Sequence, residues 1–166
     1  MKRISRKLTF FTFLIFATGC AASLSYFQSS FFSKFSLPEL VERSKSAGPL
    51  NCSTHTAGGL GGIGTGSGGI GTKQSSFFKG VSFSCQLTDT EQFDEAKFIQ
   101  ALKQNVESDL NSNKAKITSE NLSAAGFYLE YSSGDISGRV EISGKIGQLN
   151  YYTLTADLQE KRGEAK

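Results

Sequence analysis

Apolar and polar positions alternate in several stretches of the second half of the chain, and one stretch repeats on a different period. In 77–87 the residues Val81, Phe83, Cys85 and Leu87 alternate with small polar ones, the pattern of a strand with one buried face. The period then changes. Ile99, Leu102, Val106 and Leu110 fall three or four apart, with Phe98 and Ala101 at the edge of the stripe, which predicts a helix over 90–111. Asp89-Thr90-Glu91-Gln92 supplies capping residues for its start, and Asn111-Ser112-Asn113 ends it. Lys114 to Ala125 reads as a connection.

Strand alternation returns three times. Phe127, Leu129 and Tyr131 share one face. After the turn Ser132-Ser133-Gly134-Asp135, the set Ile136, Val140, Ile142 and Ile146 alternates with Ser137, Arg139, Glu141, Ser143 and Lys145. After Gly147-Gln148, Tyr152, Leu154, Ala156 and Leu158 point inward and Tyr151, Thr153, Thr155 and Asp157 outward. Short turns between successive strands favour an antiparallel meander. One polar face per strand predicts that the helix covers the other. The expected fold class is α+β, one helix packed on a small, mostly antiparallel four-stranded sheet, in the order β-α-β-β-β over residues 77–160. A charged tail follows over 161–166.

Upstream, the pattern weakens. Phe27, Phe31 and Phe35 lie on one face if 21–36 is helical. Such a strip suits either a lipid headgroup zone or the surface of a domain. Ser36-Leu37-Pro38-Glu39 resembles a capping box that opens a two-turn helix to about Ser46. Residues 20–46 are expected to be a Phe/Ser-rich tether with this short helix, and 47–76 a flexible glycine-rich loop. Within it, 58–72 holds nine glycines. Gly66 to Gly71 fits G-x-G-x-x-G formally, but no hydrophobic strand precedes it and a strand pattern follows, so the dinucleotide reading fails. Thr72-Lys73 stands in the wrong order for a phosphate loop.

At the N-terminus, residues 1–7 are basic and Leu8 to Ala17 is an apolar core of about ten residues, the length of an export signal and short for a bilayer span. Ala17-Thr18-Gly19-Cys20-Ala21 follows. Small residues before a single cysteine resemble the lipobox of bacterial lipoproteins. The resemblance covers only the first 23 residues, and Ala17 stands where that family usually has leucine. It implies a signal peptide over 1–19, diacylglycerol thioether-linked to Cys20, and Cys20 as the new N-terminus. Ala21 implies outer-membrane sorting, facing the periplasm, where the host has two membranes. Ordinary cleavage near Gly19 or Ala22 and an uncleaved anchor are the alternatives. With Cys20 assigned to lipid, Cys52 and Cys85 remain as an even pair. Export favours a disulfide between them, and two free buried thiols are the alternative.

Charge narrows the function classes. The net charge is +3, but removing the first seven residues leaves 14 basic and 15 acidic side chains. No basic stripe remains to meet phosphates, so nucleic acid is not an expected partner. Two cysteines and the single His55 make a poor metal set, and no cofactor is implied. His55 sits beside glycines that would not hold a catalytic imidazole rigid. Asp94, Glu95 and Glu91 suit the first helical turn. The outward strand face carries Tyr128, Arg139, Glu141 and Tyr151, the mixture of aromatic and charged groups used by interfaces and also found on solvated sheets. The expectation is a membrane-anchored, exported, non-catalytic interaction or accessory module of the cell envelope with an envelope protein as partner. The alternatives are a hydrophobic-ligand carrier with a cavity lined by Phe83, Ile99, Leu102, Val140 and Leu154, and a small envelope hydrolase.

Overall fold

The structure is a computed structural model of the chain, and it describes residues 31–62 and 76–162. The signal-like segment, Cys20, Phe27, residues 63–75 of the glycine-rich stretch and residues 163–166 lie outside the described residues. The chain divides into two compact units, Met1–Phe35 and Ser36–Lys166. Of the first, the described part is one helical turn, α1 (Phe31–Lys34), with the Phe31 and Phe35 rings edge-on at 5.8 Å.

In the second unit the elements run α2 (Leu37–Ser44), β1 (Cys52–Gly62), β2 (Ser76–Leu87), α3 (Glu95–Ser112), β3 (Lys116–Ser123), β4 (Gly126–Ser133), β5 (Ile136–Ile146) and β6 (Tyr151–Arg162). All the strands described form one six-stranded antiparallel sheet in the order β1-β2-β6-β5-β4-β3. The expected four-stranded sheet under one helix is therefore corrected to six strands with two helices in this unit. β1 occupies Cys52–Gly62, within the stretch expected to be a flexible loop. β3 occupies Lys116–Ser123, within the expected connection. Both are edge strands. β3 is exposed along most of its length, and β1 has glycine or alanine at 57, 58, 59, 61 and 62. Neither strand buries enough side chain to write an alternation into the sequence.

Helix boundaries also shift. Asp94, not Asp89, caps α3 by accepting a 3.1 Å hydrogen bond from the Lys97 backbone N–H. The Asp89 carboxylate closes a local turn instead, accepting from the backbone N–H groups of Glu91 and Gln92. At the other end, the N–H of Ala115 bonds the Leu110 carbonyl at 3.0 Å and that of Lys114 bonds Asn111 at 2.9 Å. Lys114 takes φ 59° there. This is the left-handed Schellman ending, made without glycine. Ser36 precedes α2 in extended conformation but makes no side-chain cap bond, so the expected capping box does not form. Pro38 in the first turn starts the helix instead.

The core lies between α2, α3 and one sheet face. Leu37, Leu40, Phe98, Ile99, Leu102, Val106 and Leu110 from the helices, and Phe83, Cys85, Leu129, Val140, Ile142, Tyr152, Leu154, Ala156 and Leu158 from the strands, are all buried. Two tyrosines cross this face over glycines of β5. The Tyr131 ring lies where a Cβ on Gly138 would stand, and its hydroxyl donates to buried Glu160 at 2.6 Å. The Tyr152 ring lies likewise over Gly144 and meets Phe93 edge-on at 4.8 Å. Each glycine leaves the space that the hydroxyl end of a neighbouring tyrosine occupies. β6 thus extends through Glu160 to Arg162, into the residues expected to form a charged tail.

Cys52 and Cys85 form a disulfide with Cα atoms 5.5 Å apart. It joins edge strand β1 to β2 and closes a loop with sequence separation 33. Chain entropy gives such a closure roughly 3–4 kcal/mol. At the β5–β6 turn, Leu149 (φ 55°) and Asn150 (φ 59°) are both left-handed. That conformation costs a leucine about 1–2 kcal/mol.

Two stability changes follow. Gly138→Ala places a methyl about where the Tyr131 ring lies, and denaturant titration will show a loss of roughly 1–3 kcal/mol. Leu149→Gly relieves the left-handed strain at a side chain 80% exposed, and the same titration will show a gain of up to about 1 kcal/mol.

Candidate functional site

The sheet face opposite the helices carries the sequence-predicted binding residues. Register sets Tyr128 opposite Glu141 and Glu130 opposite Arg139 on β4 and β5. The Arg139 guanidinium stands 5.0 Å from the centre of the Tyr128 ring and bonds Glu141 at 2.7 Å. Both charged side chains are about half exposed. The cation–ring contact at such a site is worth about 0.5–1 kcal/mol, and the ion pair less than about 1 kcal/mol. The trio is thus held by weak contacts. Tyr151 does not join it. Asp157 is the β6 residue opposite Glu141, and Tyr151 lies six residues from it along β6, roughly 20 Å at strand rise. Between them the face is small and polar, with Ser84 bonded to Thr153 at 3.1 Å and Ser143 to Thr155 at 2.9 Å.

A second feature is a groove of about 760 Å³ on the helix side, between α2, residues 45–51 and strands β1 and β2. Val41, Pro49, Leu50 and Phe83 give it apolar walls, Lys45 stands at its rim, and His55 and Cys52 complete it on β1. The His55 and Phe83 rings are stacked, 6.2 Å apart and 16° from parallel. His55 is therefore held against an aromatic wall on a strand, not carried on a loop. The groove was not legible because β1 was not. The threonines at 54 and 56 flanking His55 are the one local strand signal.

The wall of α2 is fixed to α3 by polar contacts. Asn105 donates to Ser44 at 2.8 Å, and Ser44 is buried. Arg43 reaches the Asp109 carboxylate with both terminal nitrogens, and the hydrogen bond raises the Arg43 pKa above its ordinary value. Gly48 lies so close to the start of α3 that an added Cβ would meet the Asp94 carbonyl.

Cys52 is held in the disulfide and His55 is exposed. Among the described residues no group of three metal-ligating side chains comes together. Burial first, then the nearby Glu95 carboxylate, push the Tyr152 phenol well above its ordinary pKa, so Tyr152 remains a neutral core residue. Asp94 is held below the usual carboxylate range by its bonds with Lys97, as suits a cap. Among the described residues no helix is long and apolar enough to cross a membrane. No family model, no curated protein and no solved structure matches this chain.

Ser44→Ala leaves the Asn105 amide facing an apolar surface. A loss of about 1–3 kcal/mol is expected, with faster amide hydrogen exchange in α2 than in β4 or β5.

Proposed function

We propose that the chain is a membrane-anchored, exported lipoprotein that acts as a non-catalytic interaction module of the cell envelope. Lipid on Cys20 fixes its location, and the sheet presents the Tyr128–Arg139–Glu141 face to an envelope protein. The observation that carries the interaction role is that this aromatic and ionic trio is gathered on the exposed side of a sheet whose other side is filled by core. The disulfide supports export, since such bonds persist in oxidising compartments. The residues that would have lined an internal ligand cavity are core: Phe83 is 6% exposed and Ile99, Leu102, Val140 and Leu154 are 0% exposed. They fill the space a carried lipid would need.

A second reading, carriage of a small apolar ligand, draws on the groove beside α2, whose volume of about 760 Å³ falls in the range of ligand sites. Organic extraction of the purified protein followed by mass spectrometry would find such a ligand.

Two variants test the main reading. Cys20→Ser is expected to move the protein from the membrane to the soluble fraction, and unchanged fractionation would refute lipid anchoring. Arg139→Glu keeps the fold, because the side chain is 44% exposed. It is expected to abolish the principal product of crosslinking in intact cells. An unchanged crosslinking pattern would exclude this face as the contact.

A further inference from the structure

The two ends of the sheet differ in chemistry. At one end the β4–β5 turn carries Gly134 and Asp135, and Asp135 pairs with Arg162 at 2.6 Å. Lys114, Lys116 and Lys161 stand at the same end. The opposite end is made by the β3–β4 and β5–β6 turns, which are adjacent because β4 pairs with β5. Their apolar side chains face solvent: Leu122 is 46% exposed, Ile146 45%, Tyr151 42% and Leu149 80%. Ala124 and Ala125 are exposed beside them.

The β5–β6 hairpin is the more prominent of the two. The Ala125 carbonyl accepts from Gly144 at 2.7 Å, so the β3–β4 turn ends level with Gly144. The β5–β6 chain continues through Ile146 and turns at Gln148–Asn150. Its tip projects roughly 10 Å farther at strand rise. Leu149 occupies that tip in a left-handed conformation that glycine or asparagine would adopt without strain. Folding alone gains nothing from a leucine there, since its side chain is not buried.

We propose that this hairpin tip is a membrane-contact element: Leu149, flanked by Ile146 and Tyr151, enters the boundary between headgroups and acyl chains of the bilayer that holds the anchor. The proposal rests on the lipid anchor proposed above, because three side chains alone bind a bilayer weakly. A tethered protein needs little affinity for the second contact, as the tether supplies the effective concentration. A tyrosine at the interface and a lysine that can reach back to the headgroups suit this depth, and Tyr151 and Lys145 stand in those places. The β2–α3 connection brings Asp89 and Glu91 to the same end of the sheet, at the chain exit from β2. These acids oppose attraction to anionic lipid, so the contact is apolar.

The protein contains no tryptophan, so Leu149→Trp gives a single-site depth probe. The full-length acylated variant would be placed on phosphatidylcholine vesicles whose acyl chains are brominated near the headgroup. About twofold quenching of the indole and a blue-shifted emission are expected for a side chain 5–10 Å into the boundary region. Addition of phosphatidylglycerol should not deepen the quenching. Tyr128→Trp, on the outer sheet face and level with Glu141, roughly 20 Å back from the tip at strand rise, should stay unquenched. Vesicle flotation and intact mass report the anchor separately. A chain that floats while the Leu149→Trp indole stays unquenched overturns the tip contact alone. Quenching that needs anionic lipid, or that is equal at Tyr128→Trp, also overturns it. A chain that carries no acyl groups and does not float overturns both readings.

Discussion

The antiparallel ladder between β2 and β6 joins everything else. It pairs Ser76–Gln86 with Tyr151–Lys161, segments separated by the whole of α3 and the β3–β5 meander. On its inner side Phe83 faces Leu154 and Cys85 faces Tyr152, all buried. Without it the β1–β2 hairpin and the β3–β6 meander would be two small sheets, each with an unsatisfied edge. Closing so long a loop costs entropy before any contact repays it. The repayment comes from α2 and α3, which can bury their apolar sides only when both sheet halves lie beneath them.

That constraint explains the polar features as well. The disulfide fastens β1, the strand with least side chain of its own, to one side of the ladder. The tyrosines rest on glycines of β5, the strand next to β6, and carry their hydroxyls toward carboxylates, Tyr131 to Glu160 and Tyr152 toward Glu95. Larger residues at 138 and 144 would lift the rings into the helices. A sheet this fully used on one face leaves three other surfaces with a chemistry of their own. These are the outer face around Arg139, the groove walled by α2 and β1, and the strand turns at the apolar end.

Much of the central architecture was legible. The inward sets on β4 and β6 and the stripe of α3 are recovered as buried residues, as are Phe83, Cys85 and Leu87 on β2 and Val140 and Ile142 on β5, because each belongs to an element with one wet and one dry side. Val81 and Ile136 are half-buried and Ile146 is exposed. The trio of Tyr128, Arg139 and Glu141 was legible for the same reason: alternation puts 128 and 130 on one face, and 139 and 141 on one face, and short turns put the two strands together. Tyr151 shares the face but not the place, since alternation reports side and not distance along a strand. The edge strands were not legible. Glycine in β1 and polar residues in β3 carry no contrast, and what makes them strands is the exposed hydrogen-bonding edge of β2 and of β4.

From its own sequence the chain fixed which residues could be dry and with what period, because solvent sorts side chains one residue at a time. It also held the two cysteines at 52 and 85 and near-neutral charge beyond residue 7. Only the tertiary structure decided that β2 would meet β6, that His55 would stack on Phe83 over a groove, and that Leu149 would stand alone at a turn. Those outcomes depend on neighbours far away in the chain, and no local pattern encodes the identity of a partner that folding alone brings near.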